Sequence, residues 1–403
     1  MIPNKIIRVF IILNYLFINT ASSQQNNVFS MTNEIEKSVD LNIEAIFILD
    51  SIASIVWPQW NTTQNLSYFI GDHNNNAVFI NPNFEIPLGF IQIENLDTGI
   101  NTYIRKYSNL PRNYTGGGTI IKLDNEYYKV ICMSPFGKDS THYYLSRLDE
   151  HYENNSQMKM IKELINSPEY YISVITHEAF HFYQENKENR QHWESIVPRY
   201  YRKSKVMTFS FIEGKLLQKA NYCSDKNELK NTVRQFIAIR EEKSMLLNKK
   251  QQLNEKAEEF KEGLAQYIQT QIQLILSKQK YESVITDIST TYNLNFTNAN
   301  DFFILDSLCL VSSTSDLKDP GTKHYFYGQA QARILDKLAK DTWKSEIMES
   351  DVFLIDLLMK YSGYETKNKN EYLNKTFQVY DFTEIQKQIR KLKLSRKHYI
   401  IDS

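Results

Sequence analysis

His177, Glu178 and His181 form a His-Glu-x-x-His pattern within Thr176-His177-Glu178-Ala179-Phe180-His181. Two histidines at i and i+4 lie on one face of a helix, so both imidazoles can converge on one tetrahedral zinc ion. Glu178 stands beside that face and can reach a metal-bound water as its general base. The chemistry would be metal-assisted hydrolysis, with Glu178 taking a proton from water and passing it to the leaving group. The rest of the chain must then supply a helix here, a third ligand and a group that stabilises developing negative charge.

The flanking residues predict the helix. Ser167 can cap its N-terminus, Pro168 suits the first helical position, and Glu169 favours the positive end of the helix dipole. Val174, Ile175, Ala179, Phe180 and Phe182 make the segment apolar enough to be buried. Burying two histidines and a glutamate is costly unless those groups are satisfied, and a metal would satisfy them.

A catalytic zinc takes three protein ligands and keeps one open position. Phe182, Tyr183 and Gln184 follow His181, so the continuation HExxHxxGxxH is absent and the third ligand must come from elsewhere. The best candidate is Glu262, in Phe260-Lys261-Glu262-Gly263-Leu264-Ala265-Gln266-Tyr267, on a proline-free helical stretch from about Asn254 to Leu276. A glycine inside a helix costs about 1 kcal/mol relative to alanine, so Gly263 signals close approach by another helix. With Ala265 also small, this helix is expected to pack tightly on the His177 helix and bring Glu262 to the metal. Glu258 and Glu259, one turn earlier, are rivals for that place, or partners that orient a ligand histidine.

HEAFH followed far downstream by EGLAQY resembles the gluzincin metallopeptidases, in which an HExxH helix is completed by a glutamate on a second helix. Tyr327 to Leu338, continuing through Trp343 to Leu358, resembles the helix that follows in secreted proteins of this kind. The likeness covers roughly residues 168–360, and the insert between the two motif helices is long. It implies a zincin-like body, Zn2+ held by His177, His181 and Glu262, and attack on a peptide bond. Spacing alone does not distinguish a peptide from another amide or an ester. Tyr325 and Tyr327, with His324, precede the third helical stretch and are candidates to stabilise the oxyanion.

The ends of the chain bound where such an enzyme would act. Lys5 and Arg8 precede an apolar run from Val9 to Ile18, and Ala21, Ser22 and Ser23 follow, the order of a secretory signal. Residues 1–23 are therefore expected to be removed near Ser23, giving a secreted, periplasmic or extracellular protein. The run is too short for a spanning helix, which needs about 20 residues, and no second long apolar stretch follows. Lys plus Arg equals Asp plus Glu, 47 against 47, so no global charge draws the chain to nucleic acid. Cys132, Cys223 and Cys309 lack zinc-ribbon spacing and permit at most one bridge; they read most simply as small buried residues.

The organisation is α+β, a small mainly-β region on a larger helical, zincin-like body. A helical lead-in over residues 28–57 carries Leu41, Ala45, Ile48, Leu49 and Ile52 at helical spacing. Strand-like runs follow at Ala77–Ile80, Gly89–Ile93, Thr119–Leu123 and Tyr127–Met133. Helical pattern dominates from 158 to about 361, with a strand expected at Thr376–Val379 and a basic helix at Glu384–Leu394. The division is 24–157 and 158–403, integrated as one catalytic unit because no linker separates them. The Gly116–Gly118 triplet reads as a flexible turn, or as room for an extended substrate along the next strand. His73, His142, His151 and His192 have no ligand spacing, and the basic run Lys387 to Lys397 reads as a solvated helix face. Three activities remain open: a zinc peptidase, a zinc hydrolase of a non-peptide amide or ester, and a secreted binding or surface protein with a structural or inactive zinc site.

Overall fold

Short strands, the central two buried on both faces, make the first layer of the molecule. The computed structural model describes residues 33–60, 65–71, 76–93, 98–107, 118–136, 166–186, 203–285, 294–296 and 323–401. Six strands, β1 (Tyr68–Gly71), β2 (Asn76–Ile80), β3 (Ile91–Ile93), β4 (Thr102–Lys106), β5 (Gly118–Leu123) and β6 (Glu126–Met133), form one sheet in the order β3-β4-β2-β1-β6-β5. β1 and β6 pair in parallel, and the other neighbours are antiparallel. The period of two divides the side chains between two cores. Phe69, Ala77, Phe79, Val130 and Cys132 fill one face, under Phe84, Phe90 and Tyr128. Tyr68, Ile70, Val78, Ile80, Ile131 and Met133 fill the other and share a single core with the helices. Asp124 and Asn125, with φ of 48° and 69°, close the β5–β6 hairpin, because these residues accept the left-handed conformation such a turn needs.

Ten helices follow the chain among the described residues. They are α1 (Asn33–Val56), α2 (Pro168–Asn186), α3 (Ser204–Tyr222), α4 (Lys226–Ser244), α5 (Lys249–Gln279), α6 (Lys323–Ala339), α7 (Thr342–Glu349), α8 (Leu354–Ser362), α9 (Lys369–Val379) and α10 (Phe382–Ile401). The architecture is thus α+β, a small mixed sheet at the N-terminal side and a larger helical body. No described helix is long and apolar enough to cross a membrane.

Two expectations change. Tyr68–Gly71 and Thr102–Lys106 are additional strands, and Gly89 and Phe90 precede β3 rather than belong to it. Thr376–Val379 is not a strand: it completes α9, where the Thr376 hydroxyl donates to the Tyr372 carbonyl at 2.8 Å. The leader region 1–23, residues 28–32, Gly116, Gly117, Cys309 and the four histidines without ligand spacing lie outside the described residues. Cys132 and Cys223 are buried, and neither is in a disulfide among the described residues.

α2 starts as its sequence dictates. The Tyr170 amide donates to Ser167 Oγ at 3.1 Å, directly before Pro168. Its apolar side is driven into the core by Phe180, whose ring meets Trp57 and Trp60 edge-on at 5.2 Å from each. Burying a side chain of this size stabilises by about 1.5–3 kcal/mol, and it fixes the rotation of the helix about its axis. The adjacent side, with His177 and His181 about 60° and 100° round the helix from Phe180, then faces α5.

α5 is held at both ends of this contact. Gln269 Nε2 donates to Ser173 Oγ at 2.9 Å, and Gln184 Nε2 donates to the Phe260 carbonyl at 3.1 Å. As numbers rise along α2 they fall along α5, so the helices run antiparallel and Glu262 comes level with His181. Gly263 does mark a close approach, but its partner is α6 and not α2. A Cβ at Gly263 would lie 2.3 Å from Gly328 Cα, and one at Gly328 would lie 2.0 Å from the Glu259 carbonyl oxygen. Neither position has room for any side chain, so this glycine pair sets how closely α6 crosses α5.

Candidate metal centre

The two imidazoles and one carboxylate meet at a point. His177 Nε2 and His181 Nε2 are 3.1 Å apart. Glu262 Oε2 is 3.2 Å from His181 Nε2 and 3.7 Å from His177 Nε2. A tetrahedral zinc with bonds of about 2.0–2.1 Å separates its ligand atoms by about 3.3–3.4 Å. The three observed separations bracket that value, so the donor set fits the ion in both chemistry and size. Both histidine side chains are 7% exposed and that of Glu262 14%.

Glu178 differs from its neighbours. From Ile175 to Gln184 it is the one residue that is only half-buried. Its carboxylate lies with the histidine nitrogens in a group whose ligand atoms are all within 4.8 Å of one another. Strand β6 runs along this side of α2: Lys129 pairs with Glu185 at 3.6 Å. Burial, and then the charge of Glu178, push the Cys132 thiol on β6 up to about 12.

The charges in the cluster are mutually dependent. Burial lowers the affinity of His181 for a proton, but the Glu262 carboxylate more than offsets this and lifts its pKa to about 9. Burial would raise Glu262, and the two histidines outweigh it, holding this carboxyl well below the usual range. A proton and a metal ion compete for the same imidazole lone pair, so metal binding here is coupled to proton release. Lys261 Nζ, at 3.5 Å from Glu262 Oε1, adds a second cation to the outer oxygen.

Glu259 is neither a ligand nor a partner of His177 or His181. It accepts two hydrogen bonds from Arg240, at 2.9 and 3.0 Å, and one from Gln331 at 2.7 Å. Helical spacing turns it toward α4 and α6, where a guanidinium neutralises it. Glu258 is half-buried one turn before Glu262, and the carboxylate that reaches the histidines is that of Glu262.

The two tyrosines separate in the same way. Both lie inside α6, which begins at Lys323 rather than after them. Two residues apart on a helix is about 200° of rotation, so they point to opposite sides. The Tyr325 ring stacks on His177, with centroids 5.8 Å apart and planes 15° from parallel. Tyr327 is fully buried and its hydroxyl donates to the Ser210 carbonyl on α3. Its proton is committed there, so Tyr327 is not available as an oxyanion donor. His324 is also buried, 3.9 Å from Glu259, and faces the charged interior rather than the metal cluster.

One residue of the site went unrecognised in the sequence. Gln184 Oε1 lies 2.9 Å from His181 Nδ1, while its amide nitrogen holds the Phe260 carbonyl on α5. The signal was present: Gln184 follows His181 by three, on the same helix face. His177 Nδ1 has no hydrogen-bond partner among the described residues.

No protein-family model, no curated protein and no solved structure matches this chain. The likeness to gluzincins therefore rests on the motif residues.

Proposed function

We propose that this chain is a zinc-dependent hydrolase of peptide bonds. The observation that carries the reading is the convergence of His177, His181 and Glu262 beside the half-exposed Glu178. A zinc ion held by these three ligands would polarise a substrate carbonyl and make water acidic near neutral pH. Glu178 accepts the proton of the attacking water and delivers it to the leaving amine. Tyr325, whose ring stacks on that of His177, is our candidate to donate a hydrogen bond to the developing oxyanion. The ordered helices α2, α5 and α6 hold these groups without waiting for substrate, as transition-state stabilisation requires. The choice of a peptide substrate comes from the motif resemblance, and the leader-like start, Lys5 to Ser23, assigns the activity to the outside of the cytoplasm.

The test is a mixed peptide library alongside a panel of simple amides and esters, with the zinc-loaded full chain. Peptide cleavage that stops on chelation and returns with zinc is the expected result. Cleavage of the simple amides or esters alone would move the reading to a non-peptide hydrolase. Bound zinc with no hydrolysis of anything would favour a binding or surface protein.

A further inference from the structure

Resting on the metal-site reading above, we infer that Gln184 is a positioning residue that decides which nitrogen of His181 is offered to metal. A backbone carbonyl on the opposing helix dictates that decision.

A glutamine amide has one accepting end and one donating end of nearly the same shape, so its partners determine which way it points. Gln184 is buried, and one end meets the Phe260 carbonyl oxygen at 3.1 Å. A carbonyl only accepts hydrogen bonds, so the Nε2 end must face it. Oε1 must then face His181 Nδ1, at 2.9 Å. That oxygen also only accepts, so Nδ1 carries the hydrogen. The form that binds metal is the neutral imidazole, which has one N–H, so Nε2 is the nitrogen left to offer a lone pair. Nε2 is the atom that points at Glu262 Oε2 and His177 Nε2, 3.2 and 3.1 Å away.

The relay therefore runs from the Phe260 carbonyl through Gln184 to His181. It begins two residues before Glu262, so α5 supplies one ligand directly and orients another across the helix interface. His177 is held differently: its Nδ1 meets no partner among the described residues, and its ring is flanked by Tyr325.

The test measures zinc affinity by chelator competition for the full chain, Gln184→Met and Gln184→Glu. Nitrogen-15 imidazole spectra of the zinc-loaded forms run alongside. Gln184→Met fills the space but accepts nothing from Nδ1–H, and should weaken zinc binding by about 10–100-fold. Gln184→Glu still accepts from Nδ1–H but cannot donate to Phe260, and should stay near the wild-type affinity. A residue that merely bolts α2 to α5 predicts equal losses in both variants, and that outcome overturns the inference. Wild-type affinity in both variants also overturns it. If Gln184→Met fails to fold, the spectra decide: a slowly exchanging His181 Nδ1–H in the wild type and Gln184→Glu supports the relay, and its absence from the wild type refutes it. A wild-type chain that takes up no zinc would instead sink the metal reading itself, and the inference with it.

Discussion

Glu178→Gln is expected to lower peptide hydrolysis by about 10²–10⁴-fold, the usual contribution of a general base, while the zinc stays bound. Glutamine keeps the size and shape of the side chain but cannot take up a proton at neutral pH. The two histidines are buried, whereas Glu178, like Glu262, is half-buried. Its carboxylate is close enough to the histidine nitrogens to have been a ligand itself, in a group that spans 4.8 Å. Measuring kcat together with bound zinc distinguishes these roles. Lost activity with retained zinc is the result for a base. Zinc lost from the variant would make Glu178 a ligand, and near-normal activity would place the base elsewhere.

Arg240→Ala is expected to destabilise the metal-free chain by about 3–5 kcal/mol, the cost of removing one partner from a buried ion pair. Arg240 bridges α3 and α5, donating to Glu213 at 2.7 Å and twice to Glu259. Lys243 continues the chain from Glu213 at 2.6 Å to Glu255 at 3.1 Å, and Lys323 on α6 closes it on Glu255 at 3.0 Å. Every one of these six charged residues is buried, and the three carboxylates face three cations, so removing one cation leaves uncompensated charge in the interior. The network matters to the metal centre because Glu259 lies three residues before Glu262, and Lys323 two before Tyr325, on the same helices. Loss of Arg240 should loosen the helices that present both groups.

The same network sets an acid limit. Burial would raise the Glu255 and Glu259 pKa values, but Lys243 in the first case and Arg240 in the second hold them well below the usual carboxylate range. Their folded-state values are depressed, so the unfolded chain takes up protons first as pH falls. The stabilisation is complete well above the unfolded value of about 4.3 and fades below it. Urea-unfolding midpoints followed from pH 7 down to pH 3 should fall steeply in the wild type and less steeply in Arg240→Ala. A destabilisation below about 1 kcal/mol, typical of exposed pairs, with parallel acid profiles, would show that the network contributes little.

The convergence of His177 and His181 was legible because helical spacing brings residues four apart onto one face. His177 and His181 share a face in any helix, and Ser167-Pro168 announced where that helix begins. Gly263 was legible as a gap but not as a contact, since a missing Cβ says that something comes close without naming Gly328. Glu213, Arg240 and Lys243 gave no warning. Charged residues on an amphipathic helix usually face water, and only the packing of four helices reveals that these do not. Tyr325 and Tyr327 were equivalent while both were read as preceding the third helical stretch, and a helix that includes Lys323 onward turns one to His177 and the other to Ser210. β1 was missed because a four-residue strand buried on both faces shows no alternation between apolar and polar side chains. Thr376 and Val379 favour strands by side-chain type, but Tyr372, Leu373 and Thr376 bury one face of α9, and the stretch continues that helix with Phe377 and Val379 exposed.

The most direct test of the metal centre is the zinc content of the purified full chain. It should be dialysed against metal-free buffer and measured by plasma mass spectrometry beside His177→Ala and Glu262→Ala. About one zinc per chain is expected, lost in His177→Ala and sharply reduced in Glu262→Ala. A folded wild-type chain that holds no zinc and cannot be reloaded with it would contradict the assignment of His177, His181 and Glu262 as a metal site.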